Sequence, residues 1–237
     1  MKRLIKAVAA IMLMNAVLII AGCKPENDPN NGGGNGTNGN HEYVDLGLPS
    51  GTLWATCNVG ASTPEGYGDY YAWGETQPKS SYNWTNYKYC NGSSDQLTKY
   101  CSESEYGMGG FTDNLTVLQD VDDAATVNWG SEWQIPTAAQ WDELKKHTTS
   151  LWTVQNDVNG RRYTGNNGKS IFIPAGGIYS ENLNLVGTVG YYWTNELLDS
   201  RKADVVTFKA NGYSVDLYGT ENRESGRSVR PVRKATR

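Results

Sequence analysis

The chain has 237 residues, of which 19% are charged, and a formal net charge of -4. A domain of this size can bury a substantial core. The acidic balance argues against nucleic acid as a partner, because that binding depends on Lys and Arg side chains that neutralise phosphates.

The N-terminus has the pattern of an export signal. Lys2, Arg3 and Lys6 precede an apolar run over residues 7–20, which leads to Cys23. This pattern predicts a bacterial lipoprotein signal peptide at residues 1–22 and lipidation of Cys23, for example by palmitate. A transmembrane anchor is the alternative, but the run is shorter than the roughly 20 residues needed to span a bilayer. Removal of residues 1–22 takes away three positive charges and leaves -7.

Residues 23–41 are predicted to be the lipidated cysteine and a flexible tether. They are rich in Asn and Gly and lack an apolar residue that would enter a core. Glu26 and Asp28 follow the lipid site and resemble the signal that sends lipoproteins of Bacteroides-like bacteria to the outer face of the outer membrane. We therefore expect an outer-membrane lipoprotein that faces the cell exterior and carries a folded domain at residues 42–237.

The composition of that domain predicts a loop-rich α+β fold with short antiparallel sheets and two main helices. One helix begins at Thr137, which forms a capping-box pattern with Gln140 and places Ala138, Trp141 and Leu144 on one face. The other spans residues 122–128, with Asp120 or Asp122 as its cap. Strands are predicted at residues 42–46, 52–59, 170–173, 190–194, 204–210, 213–218 and 228–232.

The sequence Asn211-Gly212 suits a two-residue type I′ turn between the strands at 204–210 and 213–218. That turn would pair Ala210 with Tyr213 and Phe208 with Val215, and these residues would face the core together with Val206 and Leu217. The opposite face would carry Val205, Thr207, Lys209, Ser214, Asp216 and Tyr218. It is either an ordinary solvated face or a recognition surface.

Three cysteines remain after Cys23. Cys90 and Cys101 flank a ten-residue polar loop, and we predict that they form a disulfide. Cys57 lies in an apolar strand and is predicted to be a buried free thiol. A bridge from Cys57 to one of the other two is the alternative arrangement.

The residue types give little support to an enzyme. The only histidines are His41, in the predicted tether, and His147, near a helix end, so neither a Ser-His-Asp triad nor a His-based zinc site can be assembled convincingly. Acids such as Glu132, Asp142 and Glu143 have no spacing that recommends glycoside hydrolysis. We predict no cofactor. Structural calcium at Asp120, Asp122 and Asp123 is the alternative to helix capping by these residues.

Several motifs in fixed order carry a resemblance to a known family. They are Leu46-Gly-Leu-Pro-Ser-Gly51 leading to Trp54-Ala-Thr-Cys57, Tyr71-Ala-Trp-Gly-Glu75, Pro136-Thr137 with Trp141, Gly190-Tyr-Tyr-Trp193 and Ser228-Val-Arg-Pro-Val232. The span 43–233 resembles the Fibrobacter succinogenes major paralogous domain of surface lipoproteins. The resemblance implies a C-type-lectin-like fold, related to formylglycine-generating enzymes and to the variable proteins of diversity-generating retroelements. The late cysteine pair that those enzymes use for copper is absent after Cys101.

In the retroelement relatives, the segment between the Tyr-Trp and Arg-Pro-Val motifs is the variable ligand-binding surface. The resemblance therefore implies a ligand-binding surface that contains Trp193, Asn195, Glu196, Asp199, Arg201, Asp204, Thr207, Lys209, Ser214, Asp216, Tyr218, Glu221, Asn222, Arg223 and Arg227. Trp193 would act as a stacking platform, and a place in the core is the alternative. This segment lacks the Asn- and Tyr-dominated composition of many retroelement targets.

Together these observations predict a non-catalytic recognition module for an extracellular protein or glycan, held at the outer membrane by its lipid and not bound to nucleic acid. A structural or adhesin-like component of an envelope or fimbrial assembly is the alternative. The charges along the predicted surface favour a protein partner.

Overall fold

A computed structural model describes residues 35–38, 41–210 and 221–233. The fold is α+β, with short, mostly antiparallel sheets and two α-helices among these residues, as predicted. The helices are α1 (Ala124–Trp129) and α2 (Ala138–His147). The strands are β1 (Asn35–Asn38), β2 (His41–Asp45), β3 (Leu53–Ala55), β4 (Tyr70–Tyr71), β5 (Trp133–Gln134), β6 (Thr148–Gln155), β7 (Val158–Gly165), β8 (Ser170–Pro174), β9 (Ile178–Tyr179), β10 (Leu183–Asn184), β11 (Val189–Leu197), β12 (Lys202–Lys209), β13 (Glu221–Asn222), β14 (Arg227–Ser228) and β15 (Val232–Arg233).

The sheets bring the two ends of the described chain together. One sheet has the order β1-β2-β3-β15-β5, so the last strand lies between early strands. The second has the order β13-β12-β11-β14-β4, in which β11 and β14 are parallel and the other pairs are antiparallel. A third sheet consists of β6-β7-β8, and β9 pairs with β10. The predicted strand at 228–232 is divided between β14 and β15, so it joins the first two sheets.

Helix α2 forms where the capping pattern predicts it. The Thr137 hydroxyl accepts a hydrogen bond from the Gln140 amide, and the Gln140 side chain accepts one from the Thr137 amide. Trp141 and Leu144 are buried, and His147 is the last helical residue. This confirms the predicted helix start and the apolar face.

Helix α1 is capped by a residue other than the two predicted. Asp123 accepts hydrogen bonds from the amides of Ala125, Thr126 and Ile135. The prediction of Asp120 or Asp122 as the cap is wrong, because these residues lie in a preceding 3-10 turn. Asp122 instead accepts hydrogen bonds from Lys99, at 2.5 Å, and Tyr100, at 2.7 Å. The carboxylate therefore joins the loop around residue 100 to the start of α1.

Stability is expected to depend on pH through Asp123, because burial raises its pKa to about 6. The native state then holds the proton more tightly than the unfolded chain, so the free energy of unfolding should fall by about 2 kcal/mol as pH rises from 4 to 7. The change Asp123→Asn should remove this contribution, and urea unfolding of both chains at pH 4 and pH 7 measures it. An equal pH dependence in the two chains would contradict the assignment.

The core contains two clusters of buried side chains with several tryptophans in each. Trp73, Trp133 and Trp193 belong to one cluster, and Trp54 and Trp141 belong to the other. All five are at most 1% exposed. The guanidinium groups of Arg223 and Arg230 are also fully buried and donate hydrogen bonds to backbone carbonyls.

Strand β12 is buried on both faces over part of its length. Val206 and Phe208 enter the core as predicted, but Val205, assigned to the polar face, is 0% exposed and belongs to the other core cluster. The predicted register also fails at the base of the hairpin. A two-residue turn with regular pairing would place Ala203 opposite residue 220, whereas Ala203 pairs with Glu221. The predicted turn, and the strand at 213–218 with Val215 and Leu217, lie outside the described residues.

The start of the domain differs from the predicted tether. Strand β1 lies within that segment and pairs with β2, and His41 is the first residue of β2. The His41 imidazole stacks on the Trp129 indole with ring centroids 3.8 Å apart. Sheet pairing therefore begins before residue 42. Among the described residues, no helix has both the length and the apolar character needed to cross a membrane; the predicted signal peptide and Cys23 lie outside them.

The cysteine predictions are corrected by the structure. Cys90 and Cys101 are both free thiols, so the predicted disulfide between them is wrong. Each thiol donates a hydrogen bond within its own loop, Cys90 to the Trp84 carbonyl and Cys101 to the Glu103 carbonyl. Cys57 is buried as predicted, but it is disulfide-bonded and not a free thiol.

Candidate recognition site

The predicted surface lies around the junction of β11 and β12. The two strands pair regularly from Val189 to Trp193, and a bulge then shifts the register before Leu197 pairs with Ala203. Between these two pairs, the bulge leaves Asn195 and Glu196 in the stretch of β11 that faces Asp204 of β12. On its other side, β11 is held by the segment at 116–118, because the Leu118 amide donates to the Asn195 carbonyl.

We call three residues at this bulge the acceptor notch: Asn195, Glu196 and Asp204. All three are half-buried. Atoms Oδ1 of Asn195 and Oδ1 of Asp204 are buried and accept no hydrogen bond from the described residues. Burial, together with the negative charge of Glu196, raises the pKa of Asp204. Unpaired buried acceptors are costly for folding, and residues that break such a rule are candidates for a functional role.

Helix α2 contributes a backbone donor to the same notch. The amide of Ala138, in the first turn of α2, donates to Oε2 of Glu196 at 3.4 Å. This contact holds the Glu196 carboxylate at the helix N-terminus, where the helix dipole favours negative charge. The sequence reasoning assigned Ala138 only to a core face, and its backbone role has no signal in the sequence.

The turn between the two strands holds Asp199 and Arg201. Asp199 accepts hydrogen bonds from the amides of Arg201 and Lys202 and so closes the turn. The Arg201 guanidinium lies 4.1 Å from the centroid of the Tyr106 ring, a cation–π contact. Tyr106 was not predicted as part of the surface. Leu198, which is 44% exposed, adds an apolar group at the tip of the turn.

Three of the predicted ligand-binding residues belong to the core instead. Trp193 is 1% exposed, and Arg223 and Arg227 are 0% exposed. Trp193 donates a hydrogen bond from Nε1 to the Tyr71 carbonyl at 2.7 Å, and the Arg227 guanidinium lies over its ring. Trp193 is therefore a core residue and not a stacking platform, and we remove all three from the surface.

The remaining predicted positions are exposed, half-buried or outside the described residues. Lys209 and Asn222 are exposed, and Thr207 is half-buried. Glu221 pairs through its backbone with Ala203. Ser214, Asp216 and Tyr218 lie outside the described residues. The part of the surface that the structure brings together is therefore the acceptor notch with the adjoining turn.

The aspartates considered for calcium have protein partners in the structure. Asp123 caps α1, and Asp122 binds Tyr89, Tyr100 and Lys99. Within the described ranges, no group of three His, Cys, Asp or Glu side chains is arranged to hold a metal. His147 ends α2 beside Lys145 and Lys146, where positive charge suits the helix C-terminus.

Comparison with known proteins gives no independent assignment. No family model, curated protein or solved structure matches this chain.

Proposed function

We propose that this chain is a lipid-anchored recognition module of the outer membrane, displayed to the cell exterior, with a C-type-lectin-like fold of the Fibrobacter succinogenes paralogous type. The ordered motifs support the family and the fold. The signal-like N-terminus supports the lipid anchor at Cys23. The observation that carries the binding function is the acceptor notch, where Asn195 and Asp204 hold buried oxygens that accept no hydrogen bond from the described residues.

The chemistry of the notch defines the ligand class. It presents one amide oxygen and two carboxylates, which accept hydrogen bonds and carry negative charge. A Lys or Arg side chain of an extracellular protein satisfies both properties. Sugar hydroxyl groups satisfy only the first, since they are uncharged. The proposed ligand is therefore a protein that presents a basic side chain, and a glycan is the second candidate.

The acceptor notch should lower the free energy of unfolding while it contributes to ligand binding. Because no described residue donates to Oδ1 of Asp204 and burial disfavours its charge, Asp204→Asn should slightly stabilise the domain and weaken ligand binding. This opposition is typical of residues kept for function. Binding of a basic ligand should also weaken as pH falls through the raised pKa of Asp204, because the protonated acid loses its charge.

A binding screen with a charge-matched control tests the proposal. The full chain is applied to protein and glycan arrays beside the variant Asn195→Ala/Glu196→Gln/Asp204→Asn. We expect saturable binding whose Kd rises at least tenfold in the variant, about 1.4 kcal/mol or more. The control Asp142→Asn/Glu181→Gln removes the same charge from exposed positions elsewhere and should bind like the wild type. Equal binding by both variants would exclude the notch.

A structural or adhesin-like role in an envelope assembly is the alternative. It predicts that the folded chain binds no array ligand and copurifies with envelope or fimbrial components. Affinity purification of the lipidated chain from its membrane separates the two functions.

A further inference from the structure

Strand β6 is an edge strand with no charged residue, proline or bulge. It is eight residues long, has the sequence TTSLWTVQ and pairs in unbroken register with β7. In the sheet order β6-β7-β8, its other edge meets no strand of the described chain. Natural proteins usually protect such edges with charge, proline or irregular backbone, because unpaired backbone groups recruit other strands.

The hairpin turn determines which backbone groups face that edge. Asn156 and Asp157 both have positive φ, as in a type I′ turn, and Gln155 pairs with Val158. Residues that flank a two-residue turn are hydrogen-bonded to each other, and the bonding side alternates along the strand. The N–H and C=O groups that point away from β7 are therefore those of Thr148, Ser150, Trp152 and Val154.

The outer edge of β6 is self-complementary when the β6 strands of two copies of the chain lie antiparallel, with Leu151 of one strand opposite Leu151 of the other. Ser150 then pairs with Trp152 of the second copy, and Thr148 pairs with its Val154, so every outward N–H and C=O meets a partner. Leu151, which is 64% exposed, lies opposite Leu151 of the second copy. Thr149 lies opposite its Thr153, a favourable pair of β-branched residues.

The charges at the two ends of β6 favour the same arrangement. The exposed Lys145 and Lys146 precede the strand. The exposed Asp157 follows it, and Glu65 accepts a hydrogen bond from Asn156 at 2.9 Å. An antiparallel pair brings Lys145 and Lys146 of one copy towards Asp157 and Glu65 of the other, whereas a parallel pair would bring the like charges together. The groove beside the first end of the strand is lined by these two lysines, by Asp142, Glu143 and His147, and by Thr148–Ser150.

From these observations we propose that the chain forms a two-fold dimer in which the outer edges of two β6 strands pair antiparallel about Leu151, joining two three-stranded sheets into one. This contact belongs to a different sheet from the acceptor notch and does not depend on the proposed ligand. A dimer presents two recognition sites, so binding to a multivalent surface gains avidity.

Cysteine cross-linking of the full chain in its membrane tests both the contact and its register. After mild oxidation, Leu151→Cys should give a disulfide-linked dimer on a non-reducing gel, well above the background of the wild-type cysteines. Chains with Thr149→Cys and chains with Thr153→Cys should cross-link to each other and not to themselves. The matched control is Arg162→Cys, which is exposed and pairs with Leu151 on the neighbouring strand, and is too far from its counterpart to form a disulfide.

Cross-linking of Leu151→Cys at background level would overturn the proposal, and so would equal cross-linking of Arg162→Cys. A second variant measures association without a disulfide. Leu151→Lys places two positive charges opposite each other at an exposed site, so the detergent-extracted chain should change from dimer to monomer in sedimentation with an unchanged circular dichroism spectrum. A monomeric wild type would also overturn the proposal. If Leu151→Lys instead released a different protein, the edge would serve a foreign strand and not a second copy.

Discussion

Replacing Arg223 by methionine is expected to lower the free energy of unfolding by about 3–5 kcal/mol. The buried guanidinium donates to the carbonyls of Lys99, Tyr100 and Ser200, and to the Tyr87 hydroxyl at 2.8 Å. Methionine fills much of the space but donates nothing, so two buried carbonyls and the partly buried Lys99 carbonyl lose a donor. Urea unfolding of the full chain, followed by tryptophan fluorescence, measures the loss.

The control for this change is Arg201→Met, in the same region of the chain. Arg201 is half-buried and packs over Tyr106 at the surface, so its loss should cost less than about 1 kcal/mol. A small effect of Arg223→Met would contradict the role of Arg223 in joining these loops. If Arg223 contacted a ligand, its replacement would reduce binding while the fold remained intact.

Replacing Trp193 by alanine is expected to cost about 3–5 kcal/mol, because it empties a large volume in the core. The side chain is 1% exposed and its Nε1 donates to the Tyr71 carbonyl. Urea unfolding again provides the measurement. Trp152→Ala, at a half-buried tryptophan on β6, should cost less.

A conservative variant separates the core role of Trp193 from ligand stacking. Trp193→Phe keeps an aromatic ring and removes the hydrogen bond, so it should cost about 1–3 kcal/mol through the Tyr71 carbonyl left without its donor. Ligand affinity per folded molecule should stay unchanged. A folded Trp193→Phe chain with much weaker binding would return Trp193 to the recognition surface.

The α+β class and the start of α2 could be predicted because they depend on local patterns. Thr137 and Gln140 are close in the chain and satisfy each other's backbone groups, whatever surrounds them. Strands β6 and β7 were missed although they form a regular hairpin. Their turn is Asn156-Asp157 in place of the more familiar Asn-Gly, and the side chains of β6 do not alternate cleanly between buried and exposed.

The recognition function of the candidate site stays a prediction, and its composition is corrected by the structure. The segment between the motifs contains a polar junction with the half-buried residues Asn195, Glu196 and Asp204. Nothing in the spacing distinguishes these residues from Arg223 or Arg227, because an arginine is usually exposed unless buried partners surround it. The carbonyls of Lys99 and Tyr100, which hold Arg223, are more than a hundred residues away in sequence.

The sequence by itself determined the features that depend on composition or on residues close together in the chain. These are the signal-like N-terminus, the cap of α2, the acidic balance and the alternation that places Val206 and Phe208 in the core. Only the tertiary structure decided that Val205 is buried as well, that Trp193 and Arg223 belong to the core, and that Cys90 and Cys101 are unpaired. Each of these depends on which distant segment packs against the residue. A side chain is buried or paired only when another segment packs against it, and no local sequence pattern specifies which segment that is.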